Sequence, residues 1–301
     1  MQKVEGKTAF ITGGASGMGL GMAKVFAEAG MKVIIADVRE NALDEAMGFF
    51  KQTNAAVHPI KLDVTNREDW ARAADDAEKA FGKVHVLVNN AGVGIGGAIQ
   101  DATWEDWDFG VGVNFNGVVN GVKTMLPRML AHGEDGHVVS TASMGGLYVA
   151  GNAGIYCATK FAVVGLSEAL RNDLRETKIG VSVFCPGPVA TNLGRSTTET
   201  RPAHLAATGG RRPRPAPANP DVRPWVMDPL EIGKRVLSGI RNNDIWIISH
   251  AEFRPGIVQR NEALLAAVPD EPLSEERKNS MFNFLWSNPM YNFKRKVRLE
   301  N

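Results

Sequence analysis

The stretch Thr8-Ala9-Phe10-Ile11-Thr12-Gly13-Gly14-Ala15-Ser16-Gly17-Met18-Gly19 decides the fold of this chain. A short run of β-branched and aromatic residues leads straight into a glycine-rich turn, and a helical pattern follows from Gly19 to Ala29. A helix entered this way presents unpaired backbone N–H groups and the positive end of its dipole, which together favour an anion. Gly13 permits the tight turn, Gly17 lets backbone approach a pyrophosphate, and Gly19 lets the helix pack closely on the strand. The strand, spacing and helix together mark a dinucleotide-binding turn, with Gly13, Ser16, Gly17, Met18 and Gly19 as candidate contacts.

Outward from that turn, the second apolar run, Lys32–Ala36, stops at Asp37. The separation is that of the carboxylate that hydrogen-bonds ribose hydroxyls and repels a 2′-phosphate. Position 16 is serine and not a basic residue, so the expected cofactor is NAD and not NADP, with Arg39 two residues further on tempering the preference. Further short apolar runs follow at Val57–Leu62, Val84–Val88, His137–Ser140, Val181–Cys185 and Ile245–Ser249, alternating with amphipathic stretches such as Ala42–Lys51 and Leu230–Ile240. This rhythm predicts an α/β fold, a doubly wound parallel sheet of Rossmann type, as one domain over residues 1–301. Thr65-Asn66-Arg67-Glu68 reads as a capping box opening a helix to about Phe81.

The pattern breaks after Asn192. Residues 202–229 hold seven of the fifteen prolines, and Arg201, Arg211, Arg212, Arg214 and Arg223 fall in the same region. A structureless insertion of this length predicts a substrate lid over residues 192–228, its basic residues forming a solvated face. Residues 270–301 form a C-terminal extension in which Phe282, Phe284, Trp286, Tyr291 and Phe293 are interleaved with Lys294, Arg295, Lys296 and Arg298, a packing or oligomer-contact tail.

Composition excludes several function classes. The 301 residues carry a net charge of +1, with 44% hydrophobic and 22% charged residues, so no global field recruits nucleic acid or an anionic membrane. No apolar run approaches a bilayer span, and the N-terminus lacks a signal-peptide core. Cys157 and Cys185 lack metal-ligand spacing and read as small core residues of a protein in a reducing cytoplasm. The scattered histidines offer no metal site. A small-molecule substrate is the expected partner.

Tyr156 and Lys160 stand four apart in Tyr156-Cys157-Ala158-Thr159-Lys160, a helical pattern that sets both on one face. An ammonium beside a phenol favours phenolate, which suits proton exchange with an alcohol oxygen. Taken in order, Thr12–Gly19, Asn89-Asn90-Ala91-Gly92, Asn114, Ser143, Tyr156/Lys160 and Pro186-Gly187 resemble the short-chain dehydrogenase/reductase family across about two-thirds of the chain. The resemblance implies an NAD-dependent alcohol dehydrogenase in which Tyr156 is the acid/base, Lys160 lowers its pKa and holds the nicotinamide ribose, and Ser143 orients the substrate oxygen. Asn114 would hold a water linking Lys160 to solvent. It also implies Asp63 and Val64 beside adenine, Asn90 near the cofactor ribose, Pro186 against the cofactor, and Val189 and Thr191 at the nicotinamide carboxamide. Family members assemble through the helices that carry Asn114 and Tyr156, so a homo-oligomer, dimer or tetramer, is expected.

A narrower likeness lies in Asp101–Asp108, Val113–Gly117 and Ser249–Arg254, which are similar to bacterial Cα-dehydrogenases of lignin-type aryl ethers. It implies oxidation of a bulky benzylic secondary alcohol to an aryl ketone, with Leu147, Tyr148, Val149, Leu193 and Trp225 as candidate apolar walls. The alternatives are a steroid or other hydrophobic ketone as substrate, or a non-catalytic NAD-sensing protein. Trp104, Trp107 and Phe109 are expected to pack a helix start.

Overall fold

The computed structural model describes residues 1–149, 151–206, 225–272, 274–279 and 288–292. Seven parallel strands form one sheet in the order β3-β2-β1-β4-β5-β6-β7. They are β1 Thr8–Thr12, β2 Lys32–Asp37, β3 Val57–Lys61, β4 Val86–Asn89, β5 Gly136–Thr141, β6 Ile179–Cys185 and β7 Trp246–Ile248. The order reverses between β1 and β4, where a crevice opens at the carboxyl ends of the strands. β1 and β5 are buried at every position, which is why their sequences are runs and not alternations.

Helices α1 Gly17–Glu28, α2 Glu40–Phe50 and α8 Pro229–Asn242 take one side with a core that includes Phe26, Ile35 and Val236. Helices α3 Arg67–Phe81 and α5 Gly117–Ala131 share the other with Trp70, Leu87 and Met125. Between them in sequence come α4 Trp104–Val111, a π turn at Gly112–Asn116, and later α6 Gly154–Asp173 and α7 Leu193–Thr200. The described residues divide into two compact units, Met1–Ala251 and Glu252–Asn301. The second contains α9 Arg254–Ala266 and α10 Glu275–Lys278, and α9 buries no residue.

The helix expected to open at Thr65 is capped by its neighbour. Asn66 Oδ1 accepts from the N–H groups of Glu68 (2.8 Å) and Asp69 (3.1 Å). Thr65 turns back and donates its hydroxyl to Asp63 Oδ1 at 2.7 Å. Both residues are capping types, and one residue of register separates the two outcomes. The true capping box belongs to Thr103 and Asp106 at α4. Of the aromatics at that helix, Phe109 packs with Val93, Ile95 and Ile155, whereas Trp104 is 82% exposed and packs nothing at the helix start.

One buried histidine is expected to contribute to acid sensitivity. His137 Nε2 lies 2.7 Å from Ser182 Oγ, which itself donates to the Asp244 carbonyl, so the ring carries its proton on Nε2. Burial lowers the His137 pKa to about 3. A base whose folded pKa lies below its unfolded value binds fewer protons when folded, so its stabilisation is complete above about 6.5 and drains away as pH falls toward 3. Acidification across that window is expected to cost about 3–5 kcal/mol through this group. His137→Leu should flatten the dependence of Tm on pH between 6.5 and 4; an unchanged slope would assign the acid lability elsewhere.

Candidate active site

Gly13 adopts φ +62°, and its Cα side abuts the Ala91 backbone, so only glycine turns the chain here. Gly19 is closed in from another direction, because any Cβ would run into the Gly13 carbonyl. The two fix how α1 meets β1. No acidic residue occupies the first turn of α1 and the side chain of its N-cap, Ser16, makes no cap bond, so the leading N–H groups of α1 stay available to an anion.

A groove of about 310 Å3 runs from this turn across the crevice. Of the expected cofactor residues it is lined by Gly13, Ser16, Gly17, Met18, Asp37, Asp63, Val64, Asn90 and Thr191. Asn90 Nδ2 donates to the Thr12 carbonyl at 3.0 Å, while its buried Oδ1 has no protein partner. An orphaned acceptor in the wall of such a groove fits a ligand hydroxyl. Asp37, 5% exposed, receives Arg39 Nε at 3.1 Å on one oxygen and an Arg39 guanidinium N–H at 3.2 Å on the other. The same guanidinium donates to Ser16 Oγ at 2.8 Å. The carboxylate at the end of β2 is therefore charge-neutralised and fixed in place.

The four expected catalytic side chains gather beside the groove and do not line it. Gly92 marks the junction, since it lines the groove and a Cβ there would stand 3.2 Å from Asn114 Oδ1 and 3.6 Å from Lys160 Nζ. Asn114, fully buried in the π turn, exchanges hydrogen bonds with Val93 N (2.8 Å) and Val93 O (3.0 Å) and donates to Thr159 Oγ1. Ser143 caps the turn after β5 and accepts from Gly145 N at 3.1 Å. Tyr156 and Lys160 share a face of α6, with Lys160 Nζ 5.6 Å from the Tyr156 ring centroid and 2.9 Å from the Thr141 carbonyl it donates to.

The electrostatics correct the expected sign. Burial is the dominant influence on the Tyr156 phenol and raises its pKa, with the hydrogen bond to Ser143 pulling the other way. Burial also lowers Lys160 to about 8, because removing an ammonium from water penalises its charge. Cys185, beneath them, is pushed up to about 12 by burial and is inert. Ser140 and Thr141 end β5, and Cys157 packs in the core.

Pro186 and Val189, also expected at the cofactor, do not line the groove. The Pro186 carbonyl accepts from Met144 N at 2.9 Å, tying the Ser143 turn to the chain after β6, and Val189 pairs with Met227. Ser249 and His250 brace this region: Gly187 N donates to Ser249 Oγ at 3.0 Å, Ser249 Oγ lies 2.6 Å from His250 Nδ1, and His250 Nε2 is 2.8 Å from the Trp225 carbonyl. In the sequence Ser249 stands only as the end of an apolar run and, with His250, in a segment of resemblance, so neither is marked there as a brace.

The segment expected to be structureless after Asn192 contains α7 and a 3-10 turn at Ala203–Leu205. Residues 207–224, with Arg211, Arg212, Arg214 and Arg223, lie outside the described residues, as do Phe282, Phe284, Trp286, Phe293, Lys294, Arg295, Lys296 and Arg298. Arg201 is no solvated cation: 15% exposed, it pairs with the buried Asp106 at 2.7 Å. Among the suggested apolar walls, Leu193 lines the groove, while Tyr148, Val149 and Trp225 are exposed. Among the described residues no acidic or His/Cys cluster of metal-binding type occurs, and no helix is long and apolar enough to cross a membrane.

A seven-stranded doubly wound sheet, a glycine turn feeding its central helix, and a Ser/Tyr/Lys cluster at the carboxyl ends of its strands define a nucleotide-dependent oxidoreductase, and the chain belongs to the short-chain dehydrogenase/reductase family. The short chain dehydrogenase family pattern matches residues 7–202. The chain is 37% identical to a C alpha-dehydrogenase from Sphingobium sp. strain SYK-6, over 89% of this chain and 88% of that one. Among solved structures, a short chain dehydrogenase/reductase from Burkholderia phymatum in complex with NAD superposes with a TM-score of 0.82 at 36% identity, covering 91% of this chain and all of that one. LigO from Sphingobium sp. strain SYK-6, in its apo form, gives 0.74 at 43% identity, covering 90% and 94%.

Proposed function

We propose that this protein uses NAD to oxidise a bulky, aryl-substituted secondary alcohol at the carbon next to the ring, a lignin-type aryl ether, and runs the reverse reduction. The observation that carries the chemistry is the Ser143–Tyr156–Lys160 cluster set against the groove at Gly92. The chain-long similarity to a C alpha-dehydrogenase supports the substrate class.

A nicotinamide held in the groove would supply the hydride acceptor. Ser143 Oγ and Tyr156 Oη hold the alcohol oxygen, and Tyr156, as phenolate, takes the hydroxyl proton while the carbinol C–H leaves with its electron pair. The ketone product keeps the carbon framework intact, so one proton goes to Tyr156 and one hydride to the acceptor. Lys160 would hold the nicotinamide ribose and keeps positive charge near the phenol, and Asn114 orders the Val93 segment beside it. Asp37 would receive the adenosine ribose hydroxyls.

Because Arg39 neutralises Asp37, a 2′-phosphate meets a screened carboxylate. NADH is expected to bind about tenfold tighter than NADPH, the scale of one screened charge contact. Asp37→Ala frees the Arg39 guanidinium and should narrow or invert the gap. Dissociation constants for both cofactors test this, and equal or tighter NADPH binding by the native protein refutes it. The substrate class is tested by kcat/KM, read as NADH absorbance, across benzylic aryl-ether, steroid and aliphatic alcohols. Turnover of the latter two without the first would leave the oxidoreductase and remove the aryl ether.

A further inference from the structure

We propose that residues 193–205, in the stretch that reads as a substrate lid, belong to the dinucleotide site: they clamp its adenosine half, and the Arg201–Asp106 ion pair is the latch. The inference rests on the cofactor reading above.

Three observations place the segment along the groove that would hold the dinucleotide. First, Ser196, Thr200, Pro202, His204 and Leu205 line the same groove as Asp37, Asp63 and Val64. Second, α7 is tied to both ends of that groove. At one end Gly94 N donates to Thr197 Oγ1 at 2.8 Å; at the other the Glu199 carboxylate comes within 3.8 Å of Arg39, the residue that grips Asp37. Third, the segment is fastened to the fold by a buried pair and not by loose surface contacts. Arg201 donates to Asp106 Oδ1 at 2.7 Å and lies 5.4 Å from the centroid of Phe109, whose ring is part of the groove wall. Arg201 Nε also closes the 3-10 turn by donating to the Leu205 carbonyl at 2.5 Å.

A surface ion pair screened by water would hold little, but Asp106 and Arg201 are 3% and 15% exposed. With the pair made, Thr200, Pro202, His204 and Leu205 line the groove together with Asp63, Val64 and Thr65, and an adenosine there would be enclosed between them. With it broken, the ties left among the described residues are the Thr197 hydrogen bond, the exposed Glu199 contact and the packing of Leu205 beside Phe109, so the dinucleotide would leave faster. Arg201 acts through this segment and is a positioning residue.

Removing one partner leaves the other charge buried and alone, so the test uses the paired variant Arg201→Met/Asp106→Asn, in which the amide keeps an oxygen for the Thr103 cap. Stopped-flow displacement of NADH should show release about tenfold faster than native, since loosening a closed site acts mainly on the dissociation rate. The alcohol KM at saturating NAD should stay as in the native protein. Thr197→Val, which removes the second tie without touching a charge, should quicken release several-fold and serves if the paired variant folds poorly. Unchanged NADH release in a folded variant overturns the clamp, as does tighter NADH binding, which would make the segment an obstruction. A rise in alcohol KM alone makes it a substrate lid and likewise overturns the clamp. A native protein that binds no dinucleotide overturns the cofactor reading and this one together, whereas normal native binding with unaffected variants removes only the clamp.

Discussion

Tyr156→Phe is expected to lower turnover by about a thousandfold, within the range that loss of a positioned general acid–base produces, while the NADH dissociation constant stays within about twofold of native. The substitution deletes one hydroxyl and leaves the ring in place on α6, where Lys160 Nζ sits 5.6 Å from the ring centroid and bonds elsewhere, to the Thr141 carbonyl. Cofactor contacts therefore survive and only the proton transfer is lost. Ser143→Ala should fall less far, because it removes an oxygen that orients the alcohol and tempers the phenol but leaves the acid–base group. A Tyr156→Phe protein retaining most of its kcat would mean that the proton leaves by another route.

The residues legible in the sequence were those whose chemistry is local. Gly13 to Gly19 announce a strand, a turn and a helix in order, and the turn geometry that demands glycine at 13 is set by neighbours a few residues away and by one backbone contact to Ala91. Tyr156 and Lys160 are four apart on one helix, so period alone puts them together. The runs at β1, β2, β5 and β6 are mostly apolar and buried at nearly every position because both faces of the sheet are covered, and that pattern too is visible in a short window.

What escaped the sequence depends on partners far along the chain. Arg201 lies in a stretch whose prolines and arginines read as solvated, yet its charge is satisfied by Asp106, 95 residues earlier. Asp106 in turn looks like an ordinary first-turn acid of α4, and only the fold shows that one of its oxygens caps the helix while the other holds Arg201. The cap of α3 went to Asn66 and not Thr65 because adjacent capping residues compete, and Asp63 decides the contest by engaging Thr65. The sign of the Tyr156 shift was hidden for the same reason: spacing reveals the nearby ammonium, whereas burial, the largest influence on the phenol, is a property of the assembled crevice.

That sign governs the expected behaviour of Lys160→Met. In the native protein burial lowers Lys160 to about 8, so it is cationic at neutral pH and loses its charge as pH rises through that value. NADH affinity should therefore weaken several-fold across pH 8. Over the same range oxidation should quicken, because the raised Tyr156 phenol ionises only in alkaline solution and the phenolate is the base. Ketone reduction draws its proton from the neutral phenol and should slow as pH rises. The two trends oppose each other and give oxidation an alkaline optimum. Methionine nearly matches the length of lysine, so Lys160→Met leaves little cavity, but it removes the cation and the donor to the Thr141 carbonyl. With no positive charge beside it the phenolate is harder to form, so oxidation at neutral pH should fall by about a hundredfold, with the variant and native rates converging above pH 8, where native Lys160 is itself uncharged. The NADH dissociation constant should rise and lose its break near pH 8. A variant whose pH profiles and affinity match the native protein would show that Lys160 is a buried structural cation and that Tyr156 works without it.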